Sequence, residues 1–312
     1  MTSTAAAPTH PTSPTPAPWL PLAAVGVTLV FWASAFVAIR YLGDDFSPGA
    51  LSLGRLLVGA LCLGAVALPR GLPRPTGRQW VSIITIGVLW FGIYNVALNA
   101  GERRIDAGTA AMLIQVSPVL IAVLAAVFLG ERFTAYLAGG LALAFAGVGL
   151  ISFSGGESSD HDIVGVALCL LAALVYSISL ILQKPLVARL PAIHVTWLAC
   201  SVGAVVCLPF VGELIDQAQA APVSSSLWLV YLGVFPTAIA FTTYAYALRH
   251  MTASSLGVTT YLVPPITIVM GLVFLDEAPP AMAYVGGALA LVGVAVARRK
   301  PRARAQEVSP PA

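Results

Sequence analysis

The chain has 312 residues, 58% of them hydrophobic and only 9% charged, with a formal net charge of +3. Soluble globular chains carry about 25% charged residues, so most of this surface must be solvated by lipid. That leaves almost nothing for a soluble domain, and the weak positive balance does not argue for a nucleic-acid partner.

Residues 1–18 are rich in Pro, Thr, Ser and Ala and read as a disordered tail. Ten apolar runs follow: Leu20–Ile39, Ala50–Leu68, Trp80–Ala100, Gly108–Leu129, Ala135–Phe153, Ile163–Leu182, Val195–Val211, Leu227–Leu248, Ser254–Leu275 and Met282–Ala297. Most approach the roughly 20 residues needed to cross about 30 Å of hydrocarbon at 1.5 Å per residue; the seventh and tenth are the shortest. The expected fold is an all-α membrane protein of ten transmembrane helices. The first run is expected to be retained: no Lys or Arg precedes it, and it exceeds the usual 7–15 residues of a cleavable apolar core. Residues 298–312 form a basic tail, read as the cytoplasmic anchor of the last helix. Cys62, Cys169, Cys200 and Cys207 all fall inside apolar runs and read as small packing residues.

Loop charge sets an expected orientation. With the N-terminus cytoplasmic, twelve Lys or Arg residues lie on the inner side, against Arg40, Arg103 and Arg104 outside and Arg55 within a helix. The positive-inside rule then places both termini in the cytoplasm. Abundant Ala and Gly, with Arg well above Lys, suggest a bacterial plasma membrane.

The chain is doubled. A shift of 146 residues carries Pro118 onto Pro264, Phe128-Leu129 onto Phe274-Leu275, Glu131 onto Glu277, Gly140 onto Gly286 and Gly147 onto Gly293. A weaker match at 144 joins Trp32 to Tyr176, Arg40 to Lys184 and Gly59 to Gly203. The copies are 19–153 and 163–297. With five helices each, the second copy is inverted, an arrangement that suits alternating access.

Pro118 and Pro264 are expected mid-membrane kinks with a gating or cavity role, because proline removes an intrahelical bond that lipid cannot replace. Gln115 and Tyr261 occupy matched positions three residues earlier and are candidate cavity residues, as are the matched pair Trp32 and Tyr176. Trp90 and Tyr94 are i, i+4 neighbours, as are Asn95 and Asn99. Tyr94 and Asn95 are the substrate-binding candidates there, since an amide does not face lipid. Arg55 either supplies a counter-charge to a carboxylate substrate or a gate contact, or is an Arg that snorkels to the outer interface or bonds between helices. Gly140/Ala144 and Gly286/Ala290 allow close helix approach, within the bundle or at a dimer interface. Glu131 and Glu277 read as solvated or paired caps, and no acid or His is placed near a helix middle.

Ala107–Leu150, with Ser117-Pro118 and Phe128-Leu129-Gly130-Glu131-Arg132, resembles the EamA repeat. So does Ala253–Val296, with Pro264, Phe274-Leu275-Asp276-Glu277 and Gly286-Gly287. Phe31-Trp32-Ala33-Ser34-Ala35-Phe36 and Arg55 also fit that family's first repeat. The second copy departs from it in Pro264-Pro265 and Ala278-Pro279-Pro280. The resemblance, to a family of the drug/metabolite transporter superfamily, implies two inverted halves around a central cavity. It also implies export or exchange of small metabolites, often amino acids. The expected partners are a small-molecule substrate and the bilayer, with no nucleic acid and no cofactor or metal, the carrier being a monomer or a homodimer. A membrane enzyme would need a catalytic set; no HExxH, Gly-rich phosphate loop or paired intramembrane acid is found. A non-transporting scaffold or sensor is the other competing class.

Overall fold

The first turn of each early helix is set by its caps. Ser47 Oγ accepts from the Ala50 amide at 3.2 Å, with Pro48 in the first turn where its missing N–H costs nothing. Thr76 and Gln79 form a reciprocal capping box, and the Asp106 carboxylate accepts from both the amide and the hydroxyl of Thr109. These caps fix where the chain re-enters the bundle.

The computed structural model describes residues 19–128, 135–152, 163–251, 256 and 259–297. Among them every regular element is helical. The α-helices are α1 (Trp19–Leu42), α2 (Pro48–Ala67), α3 (Gly77–Ile86), α4 (Tyr94–Glu102), α5 (Ala107–Ile114), α6 (Ser117–Phe128), α7 (Ala135–Ser152), α8 (Ile163–Val187), α9 (Ala192–Val206), α10 (Val211–Ala220), α11 (Val223–Leu232), α12 (Ala240–His250), α13 (Val263–Phe274) and α14 (Ala281–Ala297). The expectations for both tails, for the Leu129–Arg132 part of the first motif and for the 153–162 connection lie outside the described residues.

Among the described residues five helical stretches are long and apolar enough to cross a bilayer: Trp19–Leu42, Pro48–Arg70, Gly77–Glu102, Ile163–Val187 and Val223–His250. A sixth is reached if α9 and Leu208–Ala220 are one span bent by 54°. Four shorter apolar helices, at Ala107–Ile121, Ala138–Gly147, Thr260–Phe274 and Ala281–Gly293, account for the rest of the ten runs. The seventh run, Val195–Val211, is shortened: α9 ends at Val206, and the chain turns through Leu208–Phe210, where Pro209 cannot donate, into the polar α10.

Two stretches open into π-helix, Gly87–Ile93 between α3 and α4 and Gly233–Ile239 between α11 and α12. They are 146 residues apart, the offset of the sequence repeat. A π turn misaligns a carbonyl from its usual donor, and side chains supply replacements. Asn95 Nδ2 donates to the carbonyls of Trp90 (3.2 Å) and Phe91 (2.8 Å), and Thr237 Oγ1 donates to Leu232 at 2.8 Å.

The prolines act differently from the expected kinks. The fourth apolar run is broken outright: α5 ends at Ile114, Gln115-Val116 turn, and α6 starts at Ser117 with Pro118 in its first turn. The ninth is broken at its matched place, with a 3-10 turn at Thr260–Leu262 and Pro264 opening α13. Proline there starts a half-helix, the position its fixed φ favours. Packing repeats the same relation. α4 lies on α8 as α1 lies on α12; α9 lies on the first π segment as α2 lies on the second; α8 lies on α6 as α1 lies on α13. The most extensive pairing joins α7 to α14. There a Cβ on Gly147 would sit 2.4 Å from the Gly286 carbonyl, so only glycine permits the approach.

Candidate functional site

The π segments and broken helices converge on one cavity. Its walls are Trp32, Ala35, Phe36 and Ile39 of α1, Arg55 of α2, Trp90, Tyr94 and Leu98 along the third span, Ile114 and Gln115, Tyr176 of α8, Phe241 of α12, and Thr260 and Val263. The empty space is ≈ 620 Å³, the part open to solvent included.

The wall is mostly aromatic. The Trp32 ring lies 5.6 Å from Phe241, 6.4 Å from Tyr176 at an interplanar angle of 89°, and 4.7 Å from Tyr244 behind it. The Trp90 ring is 5.0 Å from both Tyr176 and Phe241, and Tyr94 is 6.3 Å from Tyr176. Such edge-to-face and tilted packing fixes ring orientation. The Tyr176 and Tyr244 hydroxyls bond each other at 2.8 Å. One of the two hydroxyls donates and the other accepts.

A few polar groups punctuate that surface. Arg55 is only 4% exposed, deep in α2 rather than snorkelling to an interface. Its Nε donates to Thr237 Oγ1 at 3.1 Å, the side chain's one hydrogen bond among the described residues. The terminal nitrogens of a planar fork are thus left for a ligand. Trp32 Nε1 is buried with no acceptor among the described residues. Gln115 is tied across the molecule: Nε2 donates to the Thr260 carbonyl and Oε1 accepts from Thr260 Oγ1 at 3.3 Å. This pair joins the two helix breaks.

Of the residues singled out in the sequence, Trp32, Arg55, Tyr94, Gln115 and Tyr176 come together at the cavity. Asn95 is buried but stands behind the wall, bound to the π-segment carbonyls. Tyr261 is half-buried and off the wall, where Thr260 takes its place. The cause is the 3-10 turn, whose 3.0 residues per turn rotate the matched position away from its α-helical direction. Pro118 and Pro264 lie at the breaks beside the cavity and do not line it. Phe241, Thr260 and Thr237 had no clear sequence signal. Trp90 shared a helical face with Tyr94. Glu102, two residues past the third apolar run, is 0% exposed at the end of α4.

A charge pair stands next in sequence to the cavity-lining Ile39. Arg40 Nε, beyond Ile39, meets Glu277 Oε1 at 2.9 Å and Oε2 at 3.2 Å, and its Nη1 donates to the Glu102 carbonyl at 3.2 Å. Glu277 is presented by Asp276, whose φ of 52° turns the chain sharply after α13. Asp is among the few side chains that tolerate that region. Among the described residues no group of three or more His, Cys, Asp or Glu side chains is placed to hold a metal ion.

Comparison with known proteins agrees with this architecture. The chain is 39% identical over 288 residues to a probable terminal-alkyne amino-acid exporter of Streptantibioticus cattleyicolor, covering 92% of this chain and 96% of that one. It is 31% identical over 268 residues to the uncharacterized transporter YdfC of Bacillus subtilis, covering 84% and 86%. A solved crystal structure shares the fold with a TM-score of 0.63 at 23% identity, covering 89% of this chain and 96% of that one. Residues 15–153 and 163–299 each match the EamA-like transporter family. The chain therefore belongs to the EamA-like transporter family, a family of multi-pass membrane transporters.

Proposed function

We propose that this protein is a secondary carrier that exports or exchanges amino acids or closely related compounds across the plasma membrane, with both termini cytoplasmic. Ten spans form two inverted halves, and alternating access arises as the halves exchange shapes. The observation that carries the reading is Arg55, held by Thr237 at the rim of an aromatic cavity that lies where two matched helix breaks meet. A guanidinium fork in low dielectric recognises a carboxylate bidentately. Trp32 Nε1 offers a second donor to the same group, and the faces of Trp90, Tyr94 and Tyr176 accept an apolar side chain or, by cation–π attraction, an ammonium. The similarity to a probable amino-acid exporter supports the same substrate class.

The test is counterflow in proteoliposomes loaded with each of the common L-amino acids in turn. Saturable uptake of labelled amino acid against its unlabelled form is expected for at least one. No saturable exchange across the panel, from protein that is monodisperse in detergent, overturns the proposal.

A further inference from the structure

Glu102 is the buried acid that the substrate site does not use. Its side chain is 0% exposed, and neither carboxylate oxygen accepts a hydrogen bond among the described residues. It lies one turn beyond the cavity-lining Leu98 and two beyond Tyr94 on the same helix. The charged and titratable groups within its electrostatic reach come from every neighbouring element. They are Arg40 of α1, Arg55 of α2, Asp106 at the start of α5, Cys169 of α8, Glu277 after α13, and Tyr94 on its own helix. An isolated carboxylate in such a place takes up a cation or a proton, because burying it bare is too costly.

A proton fits this site better than a metal cation. Hard cations need about six oxygen ligands, and the two nearby guanidinium groups repel them. A proton forms one O–H bond to one carboxylate oxygen and needs no shell. We propose that Glu102 is the proton-binding site of the carrier, protonated when a substrate carboxylate occupies Arg55 and emptied when that substrate leaves, so that proton and substrate cross together. The inference rests on the carrier reading above. Coupling follows from placement: Glu102 and the substrate-facing Arg55 sense each other's charge. A neutral Glu102 leaves Arg55 free to hold a carboxylate, whereas an ionised one competes for it. Each cycle takes one proton from water, neutralises one negative charge and returns the proton to water.

The experiment compares wild type with Glu102→Gln in proteoliposomes, using the amino acid that gives the strongest counterflow. Without a gradient, both proteins should exchange substrate within about twofold of each other. No exchange by wild type would sink the carrier reading itself. With a one-unit pH gradient, wild type should accumulate substrate up to about tenfold for one proton per substrate, and Glu102→Gln should not accumulate. Accumulation by the variant equal to wild type, or none by wild type while exchange persists, overturns the inference alone. Should the variant not fold, dicyclohexylcarbodiimide, which attacks protonated carboxyls in apolar surroundings, decides it on wild type. Mass spectrometry should find Glu102 modified, more slowly as pH rises. Glu102 unmodified between about pH 5 and pH 9 overturns the proposal.

Discussion

In the proposed substrate site Arg55 and Trp32 carry the polar recognition, and their roles separate by substitution. Arg55→Lys keeps the charge and loses both the fork and the Thr237 bond. Its expected effect is a rise of about tenfold in KM for transport, with expression unchanged. Arg55→Ala removes the counter-charge and should abolish measurable flux. Trp32→Phe keeps a ring against Tyr176 and Phe241 but deletes the unpartnered donor. A hydrogen bond to a charged group is worth about 1.5–3 kcal/mol, so KM should rise roughly tenfold or more. An unchanged KM in Trp32→Phe would show that the indole serves packing alone. Kinetic uptake over a range of substrate concentrations measures all three.

At the scale of elements, the irregularities make the site. The two π segments and two broken helices bring Trp90, Gln115, Thr237 and Thr260 inward, and side chains repair the backbone bonds that regular helix would have made. Asn95→Leu should therefore destabilise the protein by about 1–2 kcal/mol, by leaving the Trp90 and Phe91 carbonyls without their donor. Thermal unfolding in detergent reads that loss as a lowered Tm. The α7–α14 contact gives a sharper contrast. Gly147→Ala places a Cβ against the Gly286 carbonyl and the Ala290 amide, at 2.4 and 2.7 Å, both backbone atoms that do not yield. A loss of about 1–3 kcal/mol is expected. Gly149→Ala, on the same helix, meets nothing within 4 Å and should leave Tm unchanged or slightly raised. Equal Tm values for the two variants would contradict the close approach.

For the whole molecule, the proposed mechanism turns on inversion of one copy relative to the other. Arg74, between α2 and α3, and Ala220, at the end of α10, are exposed and lie 146 residues apart. In a doubled chain with five spans per copy they occupy opposite faces of the membrane. In a background lacking the native cysteines, Ala220→Cys should react with an impermeant maleimide in intact cells. Arg74→Cys should react only after permeabilisation. Labelling of both from one side would remove the inverted architecture and, with it, alternating access by exchange of halves.

Composition, hydropathy runs and the 146-residue offset are properties that one dimension carries. From them follow membrane residence, helical class, doubling, family resemblance and five of the cavity residues, because helical periodicity and register place like positions alike. Register assumes regular helix, and there it stops. The 3-10 turn at Thr260–Leu262 puts Thr260 where Tyr261 was expected, and the π segment turns Asn95 to the backbone behind the wall. The charge on Glu102 suggested solvent, but contacts distant in sequence enclose it. Whether a polar side chain meets water, lipid or protein depends on what packs across from it, and that only the tertiary structure decided.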